Sequence, residues 1–305
     1  MRTIGSRQQT PRQETMSATP ANLIANWLER QLLPEPAQWL NGRREELHAN
    51  FSARALHITL GMIPRRLGKV DLILDEGDTP AAEQARRNWD PTEWSVADAA
   101  RILVLIENAG AGGQAFADGF SDLCRTADVG ESVAFYRGLP LYPDADGIED
   151  QAAEGLRTNM RAVFEAVAHR NPYPREQFDT ARWNQMVLKA LFIDSTLHPI
   201  QGLDARVNAE LAHILCDYAH ERWAAGRTVS PELWRCVGPH ATDAMVSDLA
   251  RALADGADTE RKAAALALSV SPSQAATGVL GSASDLAQSI ALGKLTWGTL
   301  VSELH

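Results

Sequence analysis

The stretch ANLIANWLERQLLPEP, residues 21–36, decides the fold. Leu23, Ile24, Trp27, Leu28 and Leu32 recur at the helical period and make one apolar side. Pro34 and Pro36 then stop the helix, because proline lacks the amide and clashes with the preceding turn. The same pattern, an amphipathic helix and then proline or glycine punctuation, repeats along the chain.

Composition points the same way. The chain holds 48 Ala and 34 Leu against 15 Val and 12 Ile. Ala and Leu are strong helix formers, and the β-branched residues that suit strands are scarce. The 305 residues would allow about two domains at roughly 150 each, or one long array. The formal charge of −10 repels phosphate backbones, so nucleic acid is excluded as a primary partner. No apolar run approaches the ~20 residues of a transmembrane helix; Ile102 to Ile106 is typical of the short ones. Cys124, Cys216 and Cys236 form no CxxC pair, which suits a reducing cytoplasm.

A second helix is expected from Ala37 to about Leu60, with Gly61 and Pro64 marking its end or a kink. Residues 61–80 are ambiguous. Ser95 reads as the N-cap of a helix running to Asn108, closed by AGAGG at 109–113. Helices follow at about 114–125 and 130–139. One long helix is expected from Ile148 to His169, broken by Asn171-Pro172-Tyr173-Pro174. Others follow at about 175–194, 204–225, 231–237, 241–254 and 257–270, with a last one ending near Leu300. The fold class is therefore all-α, a multi-helix array of the α-solenoid or HEAT-like kind with no significant sheet. Residues 1–20 read as a disordered leader, or as upstream sequence before a start at Met16. Residues 21–270 form the main helical body, and 271–305 a C-terminal helical extension.

Catalytic signatures are absent: there is no GxxxxGK[ST], HExxH or GxSxG. Asp144-x-Asp146-Gly147 has the start of a calcium loop, but Ile148 stands where an oxygen ligand is needed. His213, Cys216, Asp217 and His220 share one side of a helix, a spacing that could hold a divalent metal. The plainer reading is a solvated face opposite Leu211, Ile214, Leu215 and Tyr218. Arg65, Arg66 and Lys69, placed in a loop after Pro64, could take an anion or an acidic lipid head group in a peripheral membrane contact. The alternative is an ordinary basic loop.

The densest polar chemistry lies at 154–189. Met160, Val163, Phe164 and Val167 join Leu156 in a buried stripe, bordered by Arg157 and Asn159. On the next helix Asn184 borders the stripe of Trp183, Val187, Ala190 and Leu191. Polar groups at a seam must be hydrogen-bonded. Two readings follow: a structural network joining Arg157 and Asn159 to Asn184 or to the NPYP backbone, or a pocket roofed by Tyr173 and Trp183. In the pocket, Arg157 is the anion or hydrogen-bond donor, the asparagines orient, and the aromatics stack.

Several blocks carry a resemblance. EGLRTNM at 154–160, NPYP at 171–174, WNQMVLKALF at 183–192, DYAHERW at 217–223, PELWR at 231–235 and Gly238-Pro239 are similar to signature blocks of the EboA family. The similarity covers about 20–270. It implies a place in a bacterial Ebo gene cluster, associated with traffic of secondary-metabolite precursors. It also implies other Ebo-cluster proteins as partners. No catalytic residue and no cofactor carries over. The expectation is a cytoplasmic accessory protein that binds a metabolite or a partner. The rivals are a metal-dependent hydrolase using the His213–Asp217–His220 face, and a scaffold with no pocket.

Overall fold

The computed structural model describes residues 19–110, 112–143 and 145–304. Residues 1–18 of the expected 1–20 leader, with Met16, and Asp144 lie outside the described residues; Thr19 and Pro20, expected in the leader, are instead the cap and first residue of the first helix. Among the described residues the fold is all-α, and no strand forms. The first seven helices are α1 (Pro20–Gln31), α2 (Pro34–Ala49), α3 (Ala53–Leu67), α4 (Asp78–Ala85), α5 (Val96–Asn108), α6 (Gln114–Thr126) and α7 (Val129–Arg137). Next come α8 (Glu149–Arg157), α9 (Arg161–Ala168), α10 (Tyr173–Gln177), α11 (Thr180–Phe192), α12 (Leu203–Arg206), α13 (Ala209–Ala224) and α14 (Leu233–Val237). The last are α15 (Asp243–Asp255), α16 (Asp258–Ser269), α17 (Gln274–Gly281), α18 (Ser284–Ala291) and α19 (Trp297–Leu304).

α1 buries Leu23, Ile24, Trp27 and Leu28, the side read from its period. α5 is the hub of the N-terminal half. Every residue from Val96 to Leu105 is buried, and α1, α2, α3 and α7 all pack on it. This arrangement differs from a solenoid, in which each repeat touches only its neighbours. Ser95 caps α5 in a capping box closed by Asp98, whose carboxylate also takes a 2.8 Å bond from Arg137. Farther along, α15 pairs with α16, and α16 carries α17, α18 and α19.

Several expected helices divide, each for a local reason. Pro34 does not merely end α1. It occupies the first turn of α2, where a missing amide costs nothing. The helix expected over 37–60 splits at residues 50–52, because Ser52 caps a new helix by accepting from the Ala55 amide. α3 then runs through Gly61 and Pro64 to Leu67. Pro64 has no amide for the Leu60 carbonyl four residues back. The buried Arg101 supplies the missing donor, with its Nε 3.2 Å from that oxygen. Arg65 and Arg66 therefore sit in the last turn of α3 rather than in a loop, where cations oppose the helix dipole.

The long helix expected from Ile148 to His169 is two helices. Thr158 Oγ accepts the Met160 amide at 3.0 Å, a side-chain bond that competes with helix propagation. Residues 158–160 leave the helix, so the stripe that joined Leu156 to Met160 does not form. Met160 is 48% exposed. Asn208 likewise splits 204–225 by capping α13 at the Leu211 amide.

Candidate functional site

The five expected site residues separate into two groups. Arg157 and Asn159 reach the surface beside a cleft of about 680 Å³ between α8 and α11. Its floor is Leu156 and Met186, both buried, and its rim carries Arg157, Arg182 and Lys189 with Asp150 and Glu154. Arg157 pairs with Glu154 one turn earlier and is otherwise open to water. Arg182 bridges Glu149 at 2.7 Å and Asp150 at 2.6 Å. Lys189 Nζ donates to Asn159 Oδ1 at 2.6 Å and stands 5.4 Å from the centre of the Phe192 ring. Its ammonium thus meets a neutral amide, while its two neighbouring cations meet carboxylates.

Tyr173, Trp183 and Asn184 face the interior and do not line this cleft. The Tyr173 hydroxyl donates to the Ala145 carbonyl. Trp183 is wholly buried, with the Arg206 guanidinium 4.6 Å from its ring centre. Asn184 exchanges amide bonds with Asn208, donating at 3.3 Å and accepting at 2.9 Å. A structural network therefore exists at this seam, but it runs from Asn184 to the cap of α13. It does not reach Arg157 or Asn159, but Asn208 also donates to the Arg206 carbonyl at 3.2 Å, and the Arg206 guanidinium donates to the Pro174 carbonyl of NPYP at 3.0 Å. The NPYP turn has its own anchor: buried Asn171 donates to the carbonyls of Tyr136 at 2.9 Å and Ala166 at 3.0 Å.

The helical face of His213, Asp217 and His220 is exposed, but it does not assemble a metal site. Cys216 turns inward and is buried, because α13 rotates it toward the core beside Leu215 and Ala219. His220 Nε2 pairs instead with Asp248 of α15 at 2.7 Å. No group of three or more His, Cys, Asp or Glu among the described residues could hold a metal ion.

The structure adds a second polar cluster that the sequence reading missed. A small cleft of about 130 Å³ is lined by Asp90, Glu93, Arg137, Glu165, His169 and Arg170, among others. Arg170 reaches Asp90 at 3.2 Å and Glu93 at 3.1 Å. Both Glu93 (φ 67°) and Arg170 (φ 50°) hold left-handed backbone, which costs of order 1–3 kcal/mol each and is common at functional sites. Burial pushes His169 below its ordinary 6.5, against the opposing pull of Glu165. Burial pushes Glu165 up, but hydrogen bonds from Arg161 and Ser195 outweigh it and hold the carboxyl below 4.5. His169 and Arg170 directly precede NPYP in the chain, but their partners lie far away in sequence and carry no periodic signal.

Ser195, His169 and Glu165 have the residue types of a nucleophile triad but not its wiring. Ser195 Oγ donates to Glu165 at 2.7 Å. His169 Nε2 lies 2.9 Å from the Thr196 carbonyl, which only accepts, so this nitrogen carries the proton. It cannot also take a proton from Ser195, 3.3 Å away. Burial also pushes the thiols of Cys124, Cys216 and Cys236 up to about 12, leaving them protonated at neutral pH.

Fold and site together define an all-helical protein with an open cleft of mixed charge and no assembled nucleophile among the groups just described. The chain belongs to the EboA family: the family model described as metabolite traffic protein EboA matches residues 20–238. Comparison with curated proteins and with solved structures gave no match. No helix among the described residues is long and apolar enough to cross a membrane.

Proposed function

We propose that this EboA-family protein serves metabolite traffic by binding rather than by catalysis, docking another protein of its trafficking assembly across the α8–α11 cleft. The observation that carries the reading is Lys189. It stands between the α8–α11 cleft and a second cleft of about 700 Å³, which also contains Phe192, Tyr218 and Arg222. Its charge is met by a neutral amide and the Phe192 ring rather than by a carboxylate among the described residues, and Phe192 is 66% exposed. A half-compensated cation next to an exposed ring is suited to a partner that presents a carboxylate beside an apolar side chain. Arg157 and Asn159 belong to this surface, while Tyr173, Trp183 and Asn184 support it from beneath.

The test uses the proteins encoded beside this one, purified singly and titrated by calorimetry. Lys189→Ala and Phe192→Ala should each weaken the cognate interaction about tenfold or more, in the range of a hot-spot truncation. Arg157→Ala should weaken it several-fold, with melting unchanged because its partner, Glu154, is itself exposed. Unchanged affinity in Lys189→Ala and Phe192→Ala refutes the docking face. Tight binding of a purified acidic metabolite at these residues, with no protein partner, would move the same cleft to a cargo role.

A further inference from the structure

A different cavity has the chemistry that the charged cleft lacks. Between α3, α5 and α6 lies a pocket of about 400 Å³. Its floor is Leu56, Leu105, Phe120 and Leu123, all buried. Phe116 forms a wall and stacks on Phe120 with ring centres 5.9 Å apart. Phe51 stands at the mouth, 58% exposed, in the short linker between α2 and α3. An aromatic ring held in water at the lip of an apolar pocket gains by being covered.

Gly119 keeps the mouth of the pocket open. It lies inside α6, lines the pocket, and has no positive φ. A Cβ added there would meet nothing within 4 Å. Gly155 in α8 is the contrast: its Cβ would lie 2.7 Å from the Tyr136 ring, so packing requires that glycine. Gly119 has neither a backbone nor a packing reason. A glycine inside a helix costs about 1 kcal/mol relative to alanine. What it keeps is an unobstructed opening above Phe120.

We infer that this pocket binds a small apolar, ring-bearing molecule with a single hydrogen-bond donor. This rests on the reading that the protein acts by binding, and it adds a cargo site separate from the docking face. Size sets the ligand. At interior packing density a 400 Å³ space holds about 300 Å³ of matter, or roughly 15–20 non-hydrogen atoms. That is too small for a partner helix and suits two or three fused or linked rings. The aromatic walls favour edge and face contacts with rings. Asn108 on the lining spends its amide Nδ2 on the Val104 carbonyl at 2.8 Å, so its Oδ1 is the acceptor offered to the ligand.

The test uses the full chain and the fluorescent probe N-phenyl-1-naphthylamine, which has two linked aromatic units and one N–H. Saturable enhancement with about one probe per chain is expected. Gly119→Leu should fill the mouth and weaken probe affinity at least tenfold, with an equal or higher melting temperature. Phe51→Ala, an exposed position that keeps the fold intact, should weaken it several-fold. Lys189→Ala should leave probe affinity unchanged. No saturable binding by the wild-type chain overturns the inference, as does unchanged affinity in both pocket variants. Loss of probe binding in Lys189→Ala places the probe at the charged cleft and also overturns it. Because partner titration and probe titration are read separately, failure of one site does not mimic failure of the other.

Discussion

The bond from Arg101 to the Leu60 carbonyl makes a quantitative prediction. Pro64 leaves that oxygen without its helical donor, and Leu60 is 1% exposed, so water has little access. Arg101→Met keeps most of the aliphatic stem and removes the donor. A hydrogen bond from a charged group contributes about 1.5–3 kcal/mol, and an orphaned buried acceptor costs a similar amount. Arg101→Met should therefore destabilise by about 2 kcal/mol. Pro64→Ala restores an amide to the same carbonyl. It should stabilise by about 1–2 kcal/mol: interior proline costs about 3 kcal/mol, and part of the gain is lost to a freer unfolded chain. The two changes share one acceptor and must couple. In the Pro64→Ala background, Arg101→Met should cost about 1 kcal/mol less than in the wild type. Urea unfolding of the four proteins, followed by circular dichroism, gives the double-mutant cycle. Equal costs for Arg101→Met in both backgrounds would refute the shared-carbonyl argument, whatever the single values.

The remaining predictions concern the polar groups. Asn184→Ala removes both amide bonds to Asn208 and loosens the cap of α13. It should cost about 2 kcal/mol in denaturant melts, whereas Arg157→Ala should cost no more than an exposed ion pair contributes. His169 has its folded pKa below 6.5, so the unfolded chain binds its proton more readily. Its stabilising contribution is present above about pH 6.5 and is lost as pH falls toward the folded value. Glu165 adds a loss of the same sign below 4.5. His169→Gln should flatten the fall of the thermal midpoint as pH drops below about 6.5, and a midpoint equally pH-dependent in the variant would sink the assignment.

Arg157 and Asn159 show what a helical wheel can and cannot read. Both were visible as polar residues beside an apolar stripe; Arg157 lines a cleft, and Asn159 binds Lys189 on its rim. The wheel placed them at a helix–helix seam because it carried the helix through Thr158. A two-residue side-chain turn ended the helix and swung Asn159 over to Lys189, 30 positions away. Lys189 itself lay inside a recognised block, yet nothing in its local sequence says that its neighbour would be an amide rather than a carboxylate. The His169 cleft was hidden for the same reason, since Asp90, Glu93 and Arg137 come from distant parts of the chain. The apolar pocket had one sequence trace, Gly119 within a helical run. A single helix glycine is uninterpretable until the space beside it is known.

By itself, the sequence determined the all-helical class, the buried face of α1, the cap at Ser95 and family membership. Those depend on residue spacing and on groups within a few positions of each other. Tertiary structure decided which proline ends a helix. Pro34 opens α2, while Pro64 passes inside α3 because Arg101, 37 positions later, donates to the carbonyl it strands. It also decided which polar residues are structural and which are free to bind. A side chain's role depends on whether its hydrogen bonds are already satisfied, and the partners that satisfy them are brought close only when the chain folds.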